Sequence, residues 1–267
     1  MIEIDRKAIR EELDRKNMLG LQCELTRQRR LRTAVMGGLL LALLTTVVFG
    51  TLEDPFLYTF SNIGNFFDYR LFFIVWSILA GTAIQAAILA LFRLEDYLPG
   101  KKWKNVLLFL AVVLLVATAL IPALRDVYPT WHVLHFVTAI LHAICVCGAF
   151  VPFSLWVSRE NPRLRRVIYA MIAATWGGSL LALVFFGKSG LFEMWFYVGM
   201  IVFLLYLSLV LFEEKIVKLS VAFLQGEDNL NLAIEKYFID LEKLPSEKKR
   251  PAETARAAAG RDDSLVQ

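Results

Sequence analysis

All three histidines of this 267-residue chain fall in one apolar segment, PTWHVLHFVTAILHAICVCG (129–148), at His132, His135 and His142. Imidazole binds transition metals, moves protons and hydrogen-bonds polar ligands. A helical i, i+3 spacing lets His132 and His135 reach one metal ion. Zinc or another transition metal held this way would take a third ligand or a general base from Glu193, Asp68 or Asp54. Bis-histidine haem binding needs ligands from opposing helices, and no other segment carries a histidine.

At about 100° per residue the three histidines share one helix face within an arc of about 80°. His142 lies about 15 Å deeper along that helix than His132. An ionisable side chain at such depth should face protein or water rather than lipid. His142, Gln85, Ser179 and Thr175 are expected to hydrogen-bond across a bundle. His135, Arg70 and Glu193 are expected to converge at one polar mouth. There the Arg70 guanidinium would hold a phosphate or carboxylate through two-pronged hydrogen bonds. His135 and Glu193 would bond that ligand or each other. Ser61 and Gly64 would shape the loop above, with the glycine permitting a turn that other residues resist.

The elements that must position these groups follow from composition. Hydrophobic residues make up 57% of the chain and charged residues 20%, and mean hydropathy is +0.56. That balance belongs to an integral membrane protein, whose lipid-facing surface must also be apolar. Six stretches are long enough to span a bilayer core: 33–51, 71–92, 106–124, 134–156, 167–186 and 192–212. Strand-like alternation is missing, which argues against an outer-membrane barrel. The expected fold is all-α, a six-transmembrane-helix bundle. On span five, Ala174, Gly178 and Ala182 form a small-residue line suited to close helix packing.

Basic residues set the orientation. The tail 1–32 holds nine Lys/Arg, the 93–105 loop four, the 157–166 loop four and the segment after Phe212 nine. Arg70, Arg125 and Lys188 are the lone cations of the other three loops. Since cytoplasmic segments retain Lys and Arg, both termini are expected in the cytoplasm of a plasma-membrane protein. The polar residues Asp68, Arg70, Arg125, Asp126, His132, His135, Lys188 and Glu193 then gather on the extracytoplasmic side. No cleavable signal is visible, because the first apolar stretch follows 32 charged and mixed residues ending RQRRLR. Cys145 and Cys147 stand about 200° apart on one helix, so they cannot pair.

Four regions result. Residues 1–32 read as a basic, sparsely apolar surface or interfacial helix, 33–212 as the membrane domain and 213–244 as a cytoplasmic amphipathic helical segment. Residues 245–267 read as a disordered tail. In the third region Leu230, Ala233, Ile234, Tyr237, Phe238, Leu241 and Leu244 recur at helical spacing. That stripe would dock under the bundle, lie on the membrane or bind a cytoplasmic protein. Membrane lipids are the other expected partners. Nothing points to nucleic acid, no cofactor is expected outside the metal alternative, and the oligomeric state is open.

The stretch FSNIGNFFDYRLFF resembles the start of helix two in a group of six-span membrane proteins. That group comprises the damage-regulated autophagy modulators, the Sfk-type proteins and the Frag-type factors of GPI-anchor lipid remodelling. The resemblance extends to a histidine at the outer start of helix four (His135) and to an acidic residue before an aromatic at helix six (Glu193, Trp195). By resemblance Ser61, Gly64, Arg70, His135 and Glu193 form the shared outer-face set, and the implied role is membrane-lipid organisation or remodelling. HVLHFVTAILH also resembles the late H-x-x-x-H motif of seven-span progestin-receptor/haemolysin-III hydrolases. Here the first spacing is H-x-x-H and a seventh span is missing.

Three functions are therefore expected in order. The first is a lipid-headgroup or small-ligand pocket on the outer face. The second is a membrane-embedded metal-dependent lipid hydrolase or transferase. The third is a scaffold acting through 230–244.

Overall fold

The computed structural model describes residues 6–97, 101–123 and 129–242, with side chains for 16–97, 102–123 and 129–226. Every regular element among them is helical. In chain order these are α1 (Arg6–Gly50), α2 (Phe60–Phe66), α3 (Arg70–Leu94), α4 (Lys101–Leu120), α5 (Pro129–Glu160), α6 (Arg165–Ile172), α7 (Gly178–Phe186) and α8 (Gly190–Glu242). A single π-helical turn, Ala173–Gly177, joins α6 to α7.

Six stretches are long and apolar enough to cross a membrane: Lys16–Gly50, Arg70–Leu94, Lys102–Leu120, Pro129–Glu160, Arg165–Phe186 and Gly190–Gly226. These are the six expected; five are somewhat longer, and the third has the expected length but starts and ends four residues earlier. The protein is a multi-pass membrane protein built from helices. Hydrocarbon offers the backbone no hydrogen-bond partner, so each spanning segment must satisfy its own N–H and C=O groups. Leu40, Leu44, Phe109, Ile144, Leu180, Val184 and Phe185 are exposed along the spans. So much outward apolar surface is costly in water and neutral in lipid.

The chain divides into two compact units, Gln28–Lys215 and Met1–Arg27 with Ile216–Gln267. In the larger unit α4 packs between α3 and α5, α2 packs on α3, and α6 packs on α5. Arg32 of α1 donates to Glu213 of α8, and Asn161 donates to Glu214 at 3.2 Å. At that same end Lys104 is buried and donates to the Tyr97 carbonyl. Its ammonium lies 4.3 Å from the Tyr97 ring centroid and 4.7 Å from that of Phe92, so aromatic faces offset its lost hydration. In the smaller unit, a Cβ on Gly226 would lie 3.7 Å from Met18 Cγ.

Both tails continue the helices of the adjoining spans. The charged segment before the first span continues into it, as α1 runs unbroken from Arg6 to Gly50. Likewise α8 runs from Gly190 to Glu242, so 230–242 prolongs the last span rather than forming a separate short helix. Hydropathy marks where a segment leaves the bilayer, but no proline interrupts either helix, so nothing stops it there. The side chains of the 230–244 stripe and the whole of 245–267 lie outside the described residues.

One difference is α2. The segment 51–69 is not a loop throughout, because Phe60–Phe66 folds as a helix capped by Thr59. Phe60 and Ile63 are buried, as is Gly64. Phe60 sits among Phe49 (ring centroids 5.4 Å apart), Trp76 (5.0 Å) and Tyr197 (6.3 Å), drawn from α1, α3 and α8. The Trp76 indole N–H donates to Thr46 Oγ1 at 3.0 Å, so this aromatic layer leaves no indole donor stranded.

Candidate functional site

At the end of the bundle that carries α2, two polar assemblies form. The first belongs to α4. A helix leaves its last carbonyls without intrahelical partners, and Pro122, lacking an N–H, cannot supply one. Arg70 Nη2 donates to the Leu120 carbonyl at 2.6 Å. His135 Nδ1 meets the Ile121 carbonyl at 3.1 Å, and His132 Nδ1 meets the Ala123 carbonyl at 3.0 Å. Side chains from α3 and α5 thus satisfy three carbonyls where α4 ends. Deeper, His142 Nδ1 meets the Ala111 carbonyl at 2.8 Å. Carbonyl oxygen only accepts, so each Nδ1 carries a proton, and in the neutral ring Nε2 is the acceptor. Every histidine of the cluster therefore ties α5 to α4 or to its exit.

The second assembly belongs to α2. Glu193, three residues into α8, accepts the Phe60 N–H on Oε2 at 2.6 Å. Thr59 Oγ1 accepts from Asn62 N–H at 3.2 Å and lies 2.9 Å from Ser61 Oγ. The segment before α2 is clasped too: Leu191 N–H donates to the Pro55 carbonyl at 2.8 Å. A Cβ on Gly190 would lie 2.3 Å from the Tyr58 carbonyl oxygen, so only glycine fits there.

The expected site residues can now be placed. Glu193 and His135 each find a backbone partner, and neither bonds the other. Arg70 is exposed and anchored through one N–H. Ser61 belongs to the first turn of α2. Gly64 is helical rather than at a turn, and its constraint is space. A Cβ there would stand 2.8 Å from Phe73 Cβ, so the glycine lets α2 press against α3. Asp68 is exposed with φ 63, in the left-handed region between α2 and α3. Asp54 accepts the Phe56 N–H at 2.9 Å, closing a local turn. Arg125 and Asp126 lie outside the described residues. Among the described residues, no three His, Cys, Asp or Glu side chains come together as a metal site requires.

No family model, curated protein or solved structure matches this chain.

Several working residues escaped the sequence reading. Phe60 anchors α2, and the signal was present: Thr59 at a cap position with Phe60, Ile63 and Gly64 at i, i+3, i+4. Trp195 is another. Its indole N–H donates to the carbonyl of Ala174, within the π turn, at 2.8 Å. A Cβ on Gly178 would lie 2.2 Å from Trp195 Nε1. The small-residue line on span five thus admits an indole from α8 at Gly178. Thr175 packs on Gly199, Ser179 Oγ donates to the Phe192 carbonyl at 3.1 Å, and Trp176 Nε1 points at Cys147 Sγ, 2.9 Å away. Lys188 lies over the Phe136 ring, 4.4 Å from its centroid.

Proposed function

We propose that this multi-pass membrane protein recognises an anionic lipid headgroup at its α2 end, on the extracytoplasmic face of the plasma membrane, with both termini cytoplasmic. The observation that carries the reading is the state of Arg70. Its guanidinium is exposed, yet one nitrogen is held by the Leu120 carbonyl at 2.6 Å. A guanidinium offers five N–H donors, so most of the fork stays free for phosphate or carboxylate. Fixing the side chain beforehand lowers the entropy lost on binding. Leu71 and Phe72, directly after it, are 71% and 64% exposed and would lie among acyl chains. Lys188, over Phe136 of α5, supplies a second exposed cation at this end. Glu193, Ser61 and Gly64 act by holding α2 in place. The six-span lipid-remodelling resemblance points the same way.

The test uses the full chain reconstituted with a photoactivatable anionic lipid, followed by mapping of the adducts. Adducts on residues 70–72 and 131–136, reduced in Arg70→Ala and retained in Arg70→Lys, are expected. Adducts confined to the cation-rich segments 27–32 and 157–166, or unchanged in Arg70→Ala, would overturn the reading.

The metal-dependent alternative keeps one supporting feature. Ligand histidines usually donate their second ring nitrogen to a carbonyl or carboxylate, as His132 and His135 do. In that reading each Nε2 would face the metal. The scaffold alternative rests on residues 230–244, and deletion of 225–267 separates it from the Arg70 reading.

A further inference from the structure

A small cavity of about 10 Å³ lies between α3, α4 and α5. Gly81 and Gln85 line it from α3, Leu108 and Ala111 from α4, and His142 and Val146 from α5. Gln85 stands 15 residues into α3 and His142 13 residues into α5. At 1.5 Å per residue both are about 20 Å from their helix starts, near the middle of the apolar span.

His142 is 4% exposed. Its Nδ1 is taken by the Ala111 carbonyl, and the Tyr197 ring lies face-on at 6.1 Å between centroids. Its Nε2 is fully buried and, among the described residues, has no hydrogen-bond partner. With the proton on Nδ1, that nitrogen is an acceptor. A buried polar atom without a partner is costly, most of all where lipid replaces water outside. The cavity it lines is about the volume that one water requires. Gln85 is the other polar side chain lining it, and its amide both donates and accepts.

We propose that this cavity is a binding site for one water molecule, which donates to His142 Nε2 and hydrogen-bonds the Gln85 amide. The water ties α5 to α3, while His142 Nδ1 ties α5 to α4. His142 then joins three helices at mid-depth, and its ring is held as the neutral Nδ1–H form.

The test is nuclear magnetic resonance on the full-length protein in phosphatidylcholine nanodiscs with ¹⁵N-labelled histidine, His142 being assigned by its loss in His142→Gln. The expected result is a protonated Nδ1, an unprotonated and hydrogen-bonded Nε2, and magnetisation transfer from water to the His142 ring. In Gln85→Leu that transfer is lost while the signals of His132 and His135 stay in place. A wild-type His142 ring that receives nothing from water would overturn the proposal. So would a direct coupling between the Gln85 amide and Nε2. The wild-type measurement decides even where Gln85→Leu fails to fold.

Discussion

The Glu193 carboxylate accepts the backbone N–H of Phe60 at 2.6 Å, joining α8 to the first residue of α2 across 133 positions of sequence. The first N–H groups of a helix have no internal partner and carry partial positive charge, so an anion there is favourable. A seven-residue helix cannot hold itself in isolation. It persists because Thr59 and Glu193 satisfy its first donors while Phe60 and Ile63 are buried below.

Glu193→Ala should loosen α2 before it affects the bundle. A hydrogen bond contributes about 0.5–1.5 kcal/mol net, and stranding a buried donor costs about 1–3 kcal/mol. Amide exchange across Phe60–Phe66 should accelerate at least about tenfold, the rate equivalent of about 1.4 kcal/mol. Glu193→Gln keeps an acceptor oxygen and should fall between. Unchanged exchange in Glu193→Ala would show that packing alone holds α2.

Gly64→Ala tests the α2–α3 contact. The added methyl would meet Phe73 Cβ at 2.8 Å, an atom that no rotamer change moves away. Overpacking of this kind costs about 1–3 kcal/mol. The thermal midpoint in detergent should drop, and shortening the ring with Phe73→Leu should not restore it, since the offending Cβ remains. Rescue by Phe73→Leu would place the strain in the ring instead.

Gly178→Ala should expel the Trp195 indole and release the Ala174 carbonyl, since the nearest atom to the new methyl is Trp195 Nε1. The lost hydrogen bond and the repacking together should cost about 1–3 kcal/mol. Trp195→Phe removes the same donor, so the two changes should be strongly non-additive in a double-mutant cycle on stability. Additive effects would mean that Gly178 and Trp195 act separately.

The histidine pair makes the sharpest contrast. If His135 serves to satisfy the end of α4, His135→Leu leaves the Ile121 carbonyl short of a donor and costs about 1–3 kcal/mol. His135→Asn should recover part of that, and chelator should leave the thermal midpoint unmoved. Metal quantification on protein purified without chelator or histidine tag, beside the His132→Ala/His135→Ala variant, checks it directly. About one transition-metal ion per chain, lost in that variant, would be the signature of a ligand pair of the kind structural and catalytic sites use.

The six spans were legible in the sequence alone, because the need to shed apolar surface into lipid acts on each segment independently of its neighbours. Helical periodicity likewise put His132, His135 and His142 on one face, and all three bond to carbonyls of α4 or its exit. The partners themselves were not legible. Each is a backbone carbonyl, a group that every residue possesses and that leaves no mark in a sequence. For the same reason the acceptor role of Glu193 toward Phe60 could not be read, nor could the anchoring of Arg70 on Leu120. Gly64 and Gly178 were visible as glycines, but which atom needed the space was decided only when Phe73 and Trp195 arrived from other helices. Sequence determined where the chain enters and leaves the apolar layer. Tertiary packing decided which polar atoms meet inside it, because those meetings depend on distance between helices rather than on spacing within one.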